Sequence, residues 1–250
     1  MGLILLQIIL ILLLNYTYGS NDKVELVDIS SYVKSKNYSS ITIAELISEL
    51  DQRRINLMHE NDDGTTLCHL FATYNYLNLI EYIVNNIDTN NVDDFVNKQD
   101  KYGDTCIHKA CFNGNIDIVK FLKSHHANIM INTNVGVNPL HSASYKGYND
   151  IVELLVKEYR VPINIKTLTE AAPLHYAVGQ NNHKTVSLLL ELGADVNVVN
   201  KDNITPTHIS LKNKRFEIAK ALIQKGAILD IKNKNGETAL DYVGSEELDL

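Results

Sequence analysis

Nine histidines and three cysteines are the residues of this 250-residue chain whose types could ligate a metal, carry a proton or attack a carbonyl. Their spacing argues against each. His59-Glu60 is followed by Asp63 where a zinc-binding H-E-x-x-H helix needs a second histidine one turn on, sharing a face with the first. No C-x-x-C, G-x-S-x-G or G-x-x-x-x-G-K string occurs, so thiol-redox pairs, nucleophile elbows and phosphate loops are missing in their recognisable forms. His125 and His126 are adjacent, and neighbours on a helix point about 100° apart, so their rings do not converge on one ion. The expectation is no catalytic residue, no metal and no cofactor.

Composition narrows the alternatives. Hydrophobic residues make up 45% and charged residues 21%, enough to build a large core and too apolar for a disordered tail. Lys and Arg number 23 against 30 Asp and Glu, and the resulting net charge of −7 argues against a dedicated nucleic-acid binder. With 12 Gly and 4 Pro, the chain lacks the turn density of a β-sandwich, and helices are favoured.

The histidines themselves lead to the elements. His69, His108, His141, His175 and His208 close the strings Thr66-Leu67-Cys68-His69, Thr105-Cys106-Ile107-His108, Asn138-Pro139-Leu140-His141, Ala172-Pro173-Leu174-His175 and Thr205-Pro206-Thr207-His208, at spacings of 39, 33, 34 and 33. A sixth copy, Thr238-Ala239-Leu240-Asp241, follows without the histidine. Each string opens a short helix: Thr can cap it and Pro fits its first turn, where the missing N–H has no partner anyway. Downstream, Ile116, Val119, Phe121 and Leu122, and again Ile151, Val152, Leu154 and Leu155, recur three and four apart, giving a second helix one apolar face. A hairpin of two such helices cannot bury its faces alone, so hairpins must stack. Gly193-Ala194 and Gly226-Ala227 stand where a second helix should end. His126-Ala127 and Tyr159-Arg160-Val161-Pro162 depart from that pattern.

These strings, with Ala110, Ala143 and Ala177 two residues after the histidine, resemble the T-P-L-H-x-A pattern of the ankyrin repeat, and the period agrees. The resemblance runs from Asn61 to about Gly244 and implies an all-α solenoid of stacked helix-turn-helix units joined by β-turn loops. The implied units are repeats over 61–97, 98–133, 134–166, 167–199 and 200–232, with a half-repeat and acidic tail over 233–250. Residues 20–60 form a leader and a capping helix near Ile41 to Leu57. Between Asn85 and Gln99 the first interval is six residues longer than the next, and Asp88, Asn90, Asn91, Asp93 and Asp94 mark an exposed loop. In the family the repeat histidine bridges loop and helix, so its recurrence reads as scaffolding.

The cysteines fit the same picture. Cys68 and Cys106 occupy matching positions of neighbouring repeats, where helices about 8–10 Å apart exceed the roughly 7 Å limit for Cα atoms joined by a disulfide. Cys111 takes a packed alanine position. Three free, buried thiols are expected. Ahead of the repeats, Leu3 to Leu14 is apolar except for Gln7, and Thr17 and Gly19 suit signal-peptidase cleavage after residue 19, although no Lys or Arg follows Met1. The expectation is a secreted or lumenal protein; retention as an anchor, or a cytosolic chain if the segment is no signal, are the alternatives. Asn37-Tyr38-Ser39 then offers a glycosylation site, Asn37 being the better acceptor than Asn203.

With no home for catalysis, function should lie on a surface. The resemblance places contacts at the loop tips and late in the first helices. These are Lys101, Tyr102, Asp104, Phe112 and Asn113 in the second repeat, and Asn134, Val135, Val137, Tyr145 and Lys146 in the third. Leu168, Thr169 and Gln180 follow in the fourth, where Glu170 and Asn181 replace the family's glycines, and Lys201, Asp202, Ile204, Lys212 and Asn213 in the fifth. An aromatic and amide-rich row of nearly balanced charge suits a protein partner rather than nucleic acid or a small molecule, with the chain itself a monomer. The competing role for Tyr102, Phe112 and Tyr145 is packing between adjacent loops.

Overall fold

The computed structural model describes residue 60 and residues 62–244. The apolar N-terminal segment, the Asn37 sequon, the expected capping helix and the acidic tail lie outside the described residues.

Each repeat opens on an extended residue whose side chain or backbone caps the helix that follows. The first helices are α1 (Leu67–Tyr74), α4 (Cys106–Asn113), α6 (Pro139–Lys146), α8 (Pro173–Gly179) and α10 (Pro206–Lys212). Each is followed by a second helix: α2 (Leu77–Asn86), α5 (Ile116–Ser124), α7 (Asn149–Glu153), α9 (His183–Glu191) and α11 (Phe216–Gln224). The sixth copy forms only a 3-10 turn, Ala239–Tyr242, laid against α10. First helices pack side by side in chain order, and each second helix packs back onto its own partner. Among the described residues no strand forms, and the core is one continuous apolar seam from Leu67 to Leu222 plus a small group of Leu211, Ala219 and Ala239.

Two segments differ from expectation. The long interval after α2 is not simply a loop: a 3-10 turn, Thr89–Asn91, leads into helix α3, Val92–Asn97. Val92, Phe95 and Val96 stand at helical spacing and are buried, while Asp88, Asn90, Asn91, Asp93 and Asp94 are exposed as expected. In the third repeat α7 gives way to a π-helical turn over Leu154–Glu158, after which Arg160 takes a left-handed backbone at φ +57°. Beside it an open groove of about 290 Å³ separates α5 from α7, walled by Ile116, Lys120, Asp150, Glu153, Leu154, Lys157 and Glu158.

Loop geometry survives the missing glycines. Glu170 and Asn181 hold φ of +58° and +61°, the conformation that Gly103 and Gly114 take in the second repeat at +80° and +78°. The loops also bond to one another: the N–H of Lys101, Asn134, Leu168, Lys201 and Lys234 each donates to a carbonyl in the preceding loop. Side chains reinforce the seams from the other end, as Asn115 donates to the Ala72 carbonyl at 2.7 Å and Asn182 to that of Tyr145 at 2.8 Å.

Candidate interaction surface

The histidines settle into one repeated arrangement. In the first repeat the backbone N–H of Thr66 donates to His69 Nδ1 at 3.1 Å, so Nδ1 is an acceptor and the proton sits on Nε2. Nε2 then donates across the seam to the Asp104 carbonyl at 2.9 Å. His108, His141, His175 and His208 repeat this with the carbonyls of Val137, Ala171, Ile204 and Glu237. All five are buried. Burial pulls His69 and His175 below the ordinary imidazole value and takes His108 and His141 down to about 4. A neutral imidazole locked on both nitrogens has neither a free lone pair for a metal nor a proton in transit. Asp241 stands in for histidine in the sixth copy, accepting from Thr238 N–H at 2.6 Å and from its hydroxyl at 2.9 Å.

Cys68, Cys106 and Cys111 are free and buried. Cys106 donates its thiol to the Val96 carbonyl at 3.1 Å, and burial pushes the Cys68 and Cys111 thiols up, away from the reactive thiolate. Among the described residues no group of three His, Cys, Asp or Glu side chains could hold a metal ion, and no helix is long and apolar enough to cross a membrane.

The expected contact residues divide into two sets. Asp104, Val137 and Ile204 are half-buried and give their carbonyls to the histidines of the preceding repeats, so they belong to the seams. Burial works against the Asp100 carboxylate, but Lys109 at 2.9 Å and the N–H groups of Tyr102 and Asp104 outweigh it and hold its pKa below the usual value. Lys109 also reaches Asp104 at 2.6 Å, and Lys101 pairs with Asp63 at 2.7 Å. Asn113 is half-buried and bonds to the Lys109 carbonyl; Asn134 bonds to the Lys101 carbonyl. Thr169, Gln180, Lys201, Asp202, Lys212 and Asn213 are exposed.

The second set is apolar. Tyr102 is 62% exposed, Val135 62% and Leu168 69% at successive loop tips, with Phe112 at 40% and Tyr145 at 36% on the first helices. Phe112 and Tyr145 stack with centroids 6.2 Å apart, and Tyr145 meets Tyr176 edge-on at 6.4 Å. Lys146 lies over the Phe112 ring at 4.4 Å. Tyr176, which sequence reasoning left out, also packs edge-on against His141 at 5.1 Å. Its signal was an aromatic residue directly after a repeat histidine. Packing between repeats and exposure to solvent therefore coexist in the same rings.

A family model for ankyrin repeats matches residues 33–133, 90–167, 125–200 and 174–247, and the chain belongs to that family. Similar curated proteins include a 26S proteasome regulatory subunit, p28, of Saccharomyces cerevisiae, 29% identical over 55% of this chain and 59% of its own length. An ankyrin repeat protein of fowlpox virus, FPV031, is 31% identical over 54% of this chain and 40% of its own, and the ankyrin repeat and SOCS box protein 3 of Bos taurus 33% over 38% and 19%. The chain spans about three fifths or less of the length of these relatives. Ankyrin repeats form protein–protein interaction scaffolds and are typically non-enzymatic.

Proposed function

We propose that this chain is a non-enzymatic binding module that works as a monomer in the secretory pathway or outside the cell and meets a protein partner through its loop tips and first helices. One observation carries the reading: five of the nine large hydrophobic residues exposed among the described residues, Tyr102, Phe112, Val135, Tyr145 and Leu168, fall on those positions in three consecutive repeats. Scattered exposed apolar residues are ordinary, whereas an aligned group marks a contact site. Affinity purification with the wild-type chain and with a Tyr102→Ala, Phe112→Ala, Tyr145→Ala variant tests it. Loss of the same prey with helicity retained supports this face; retention of every prey removes it, leaving the segment around α3 as the next candidate.

The compartment rests on Leu3 to Leu14 and the Thr17-Tyr18-Gly19 step. A second reading, a cytosolic adaptor, draws on the three reduced, buried thiols, which suit a reducing compartment. Mass spectrometry of the mature chain separates the two: secretion predicts Ser20 as first residue, with glycan on Asn37 as a further mark, and an intact Met1 segment supports the adaptor or an anchored form.

A further inference from the structure

We propose that the ring row Phe112–Tyr145–Tyr176, edged by Lys146, receives an extended acidic segment of a partner protein with apolar side chains at alternate positions. The proposal rests on the protein-binding reading and names the chemistry of the bound segment.

Spacing is the first argument. Successive ring centroids lie 6.2 and 6.4 Å apart, although the residues come from three different repeats. In an extended strand, side chains on one face recur every second residue, roughly 6.6 Å apart. Polyproline-type segments place theirs about 9.3 Å apart every third residue, well out of step with the rings. A strand also turns its intervening side chains the other way, toward a second row if one borders the first. Exposed apolar side chains also stand at the loop tips, Tyr102, Val135 and Leu168, in the same three repeats. A helix offers one face only.

Charge is the second argument. The whole chain carries a net −7, yet the acids along this face are already compensated. Asp100 and Asp104 share Lys109, Asp63 takes Lys101, and Asp202 lies 3.7 Å from Lys234. Among the described residues no carboxylate forms an ion pair with Lys146 or Lys201. An acidic segment is thus repelled by the molecule at large and drawn to this face, the arrangement that directs encounter and orientation.

Fluorescence anisotropy on the purified chain, with labelled nine-residue peptides that each carry three apolar residues, tests the idea. The peptides are Asp/Glu-rich with Leu or Tyr at alternate positions, the same residues at every third or every fourth position, and the alternate design with Lys in place of the acids. We expect the alternate acidic peptide to bind at least tenfold more tightly than the others. Tyr145→Ala should weaken it at least tenfold and Tyr145→Phe barely, since the ring face does the work. Lys146→Glu, a surface change that spares the fold, should weaken the acidic peptide and favour the basic one. Equal binding by all spacings, preference for the fourth-position or basic design, or indifference to Tyr145→Ala and Lys146→Glu would each overturn the proposal. If all peptides fail while a captured protein is still lost with the triple alanine variant, the face binds but not an extended segment; if capture too is unaffected, the protein-binding reading of this face fails with it.

Discussion

Adding a proton to a repeat histidine would disrupt the bond that caps its helix. Nδ1 of His141 accepts the Asn138 N–H at 3.1 Å, and a proton placed there sets donor against donor. The native state therefore resists protonation of His108 and His141 down to about pH 4, whereas an unfolded histidine titrates near ~6.5. The sign follows: below about 6.5 the unfolded chain takes up protons that the native chain refuses, so stability falls with falling pH until about 4 and is level above 6.5. The slope should be on the order of 1.4 kcal/mol per pH unit for each such histidine. Asp100, near His108, acts in a different window, because Lys109 and two backbone N–H groups outweigh its burial and hold it below its usual value, so it stays ionised through most of this range. Urea unfolding at a series of pH values checks this; a flat profile between 4.5 and 6.5 contradicts it. His141→Ala should cost roughly 2–3 kcal/mol, since it strands the Asn138 N–H and the Ala171 carbonyl, and should shallow the pH slope. These histidines were legible because their chemistry recurs at a fixed interval. Tyr176 was not, because Lys109, Ser142 and Ile209 occupy its position elsewhere and no period announces it.

Among the loops, identical backbone shapes carry unequal constraints. Gly136 and Gly193 both hold a left-handed backbone, at +79° and +93°. A Cβ on Gly136 would sit 2.6 Å from the Leu168 nitrogen in the next loop, while one on Gly193 would meet nothing within 4 Å. Gly193→Ala should therefore cost only the conformational penalty of about 1–2 kcal/mol, and Gly136→Ala that penalty plus about 1–3 kcal/mol for pushing two loops apart. Thermal unfolding of the two variants decides it; equal losses would mean the loop contact is not tight. Helix starts after Thr66, Thr105, Asn138 and Thr205 were readable from capping chemistry, yet α3 was not. Its six residues hold Val92, Phe95 and Val96 on one side, and Asp93 and Asp94 between them gave the segment the look of a turn. The π turn at Leu154–Glu158 escaped for a related reason: periodicity of apolar residues does not register one extra residue per turn.

Across the whole stack, stability is a sum of units and seams, and the sum is lopsided. Asn97, Asn164 and Asn197 accept an N–H from the following repeat at three seams, by 2.6, 3.0 and 2.8 Å bonds. The apolar seam beginning at Leu67 thins toward the fifth repeat, where Leu211, Ala219 and Ala239 form a separate small group with Phe216, Tyr242 and Val243 packed against it. Local opening should start there. Native-state amide exchange is expected to release α11 and the Ala239–Tyr242 turn well before α4 and α6; uniform protection would show a single cooperative unit instead. The stacking of helix pairs was legible in the spacing of five histidines, while the lopsidedness was not, since it depends on which apolar groups meet across each seam. Asp241 sharpens the inequality. A carboxylate can receive the Thr238 donors as an imidazole does, but it owns no second nitrogen to reach forward. A further repeat docked there would lack the histidine bond that ties the other seams, and installing imidazole by Asp241→His would give an engineer the missing rung for lengthening the array.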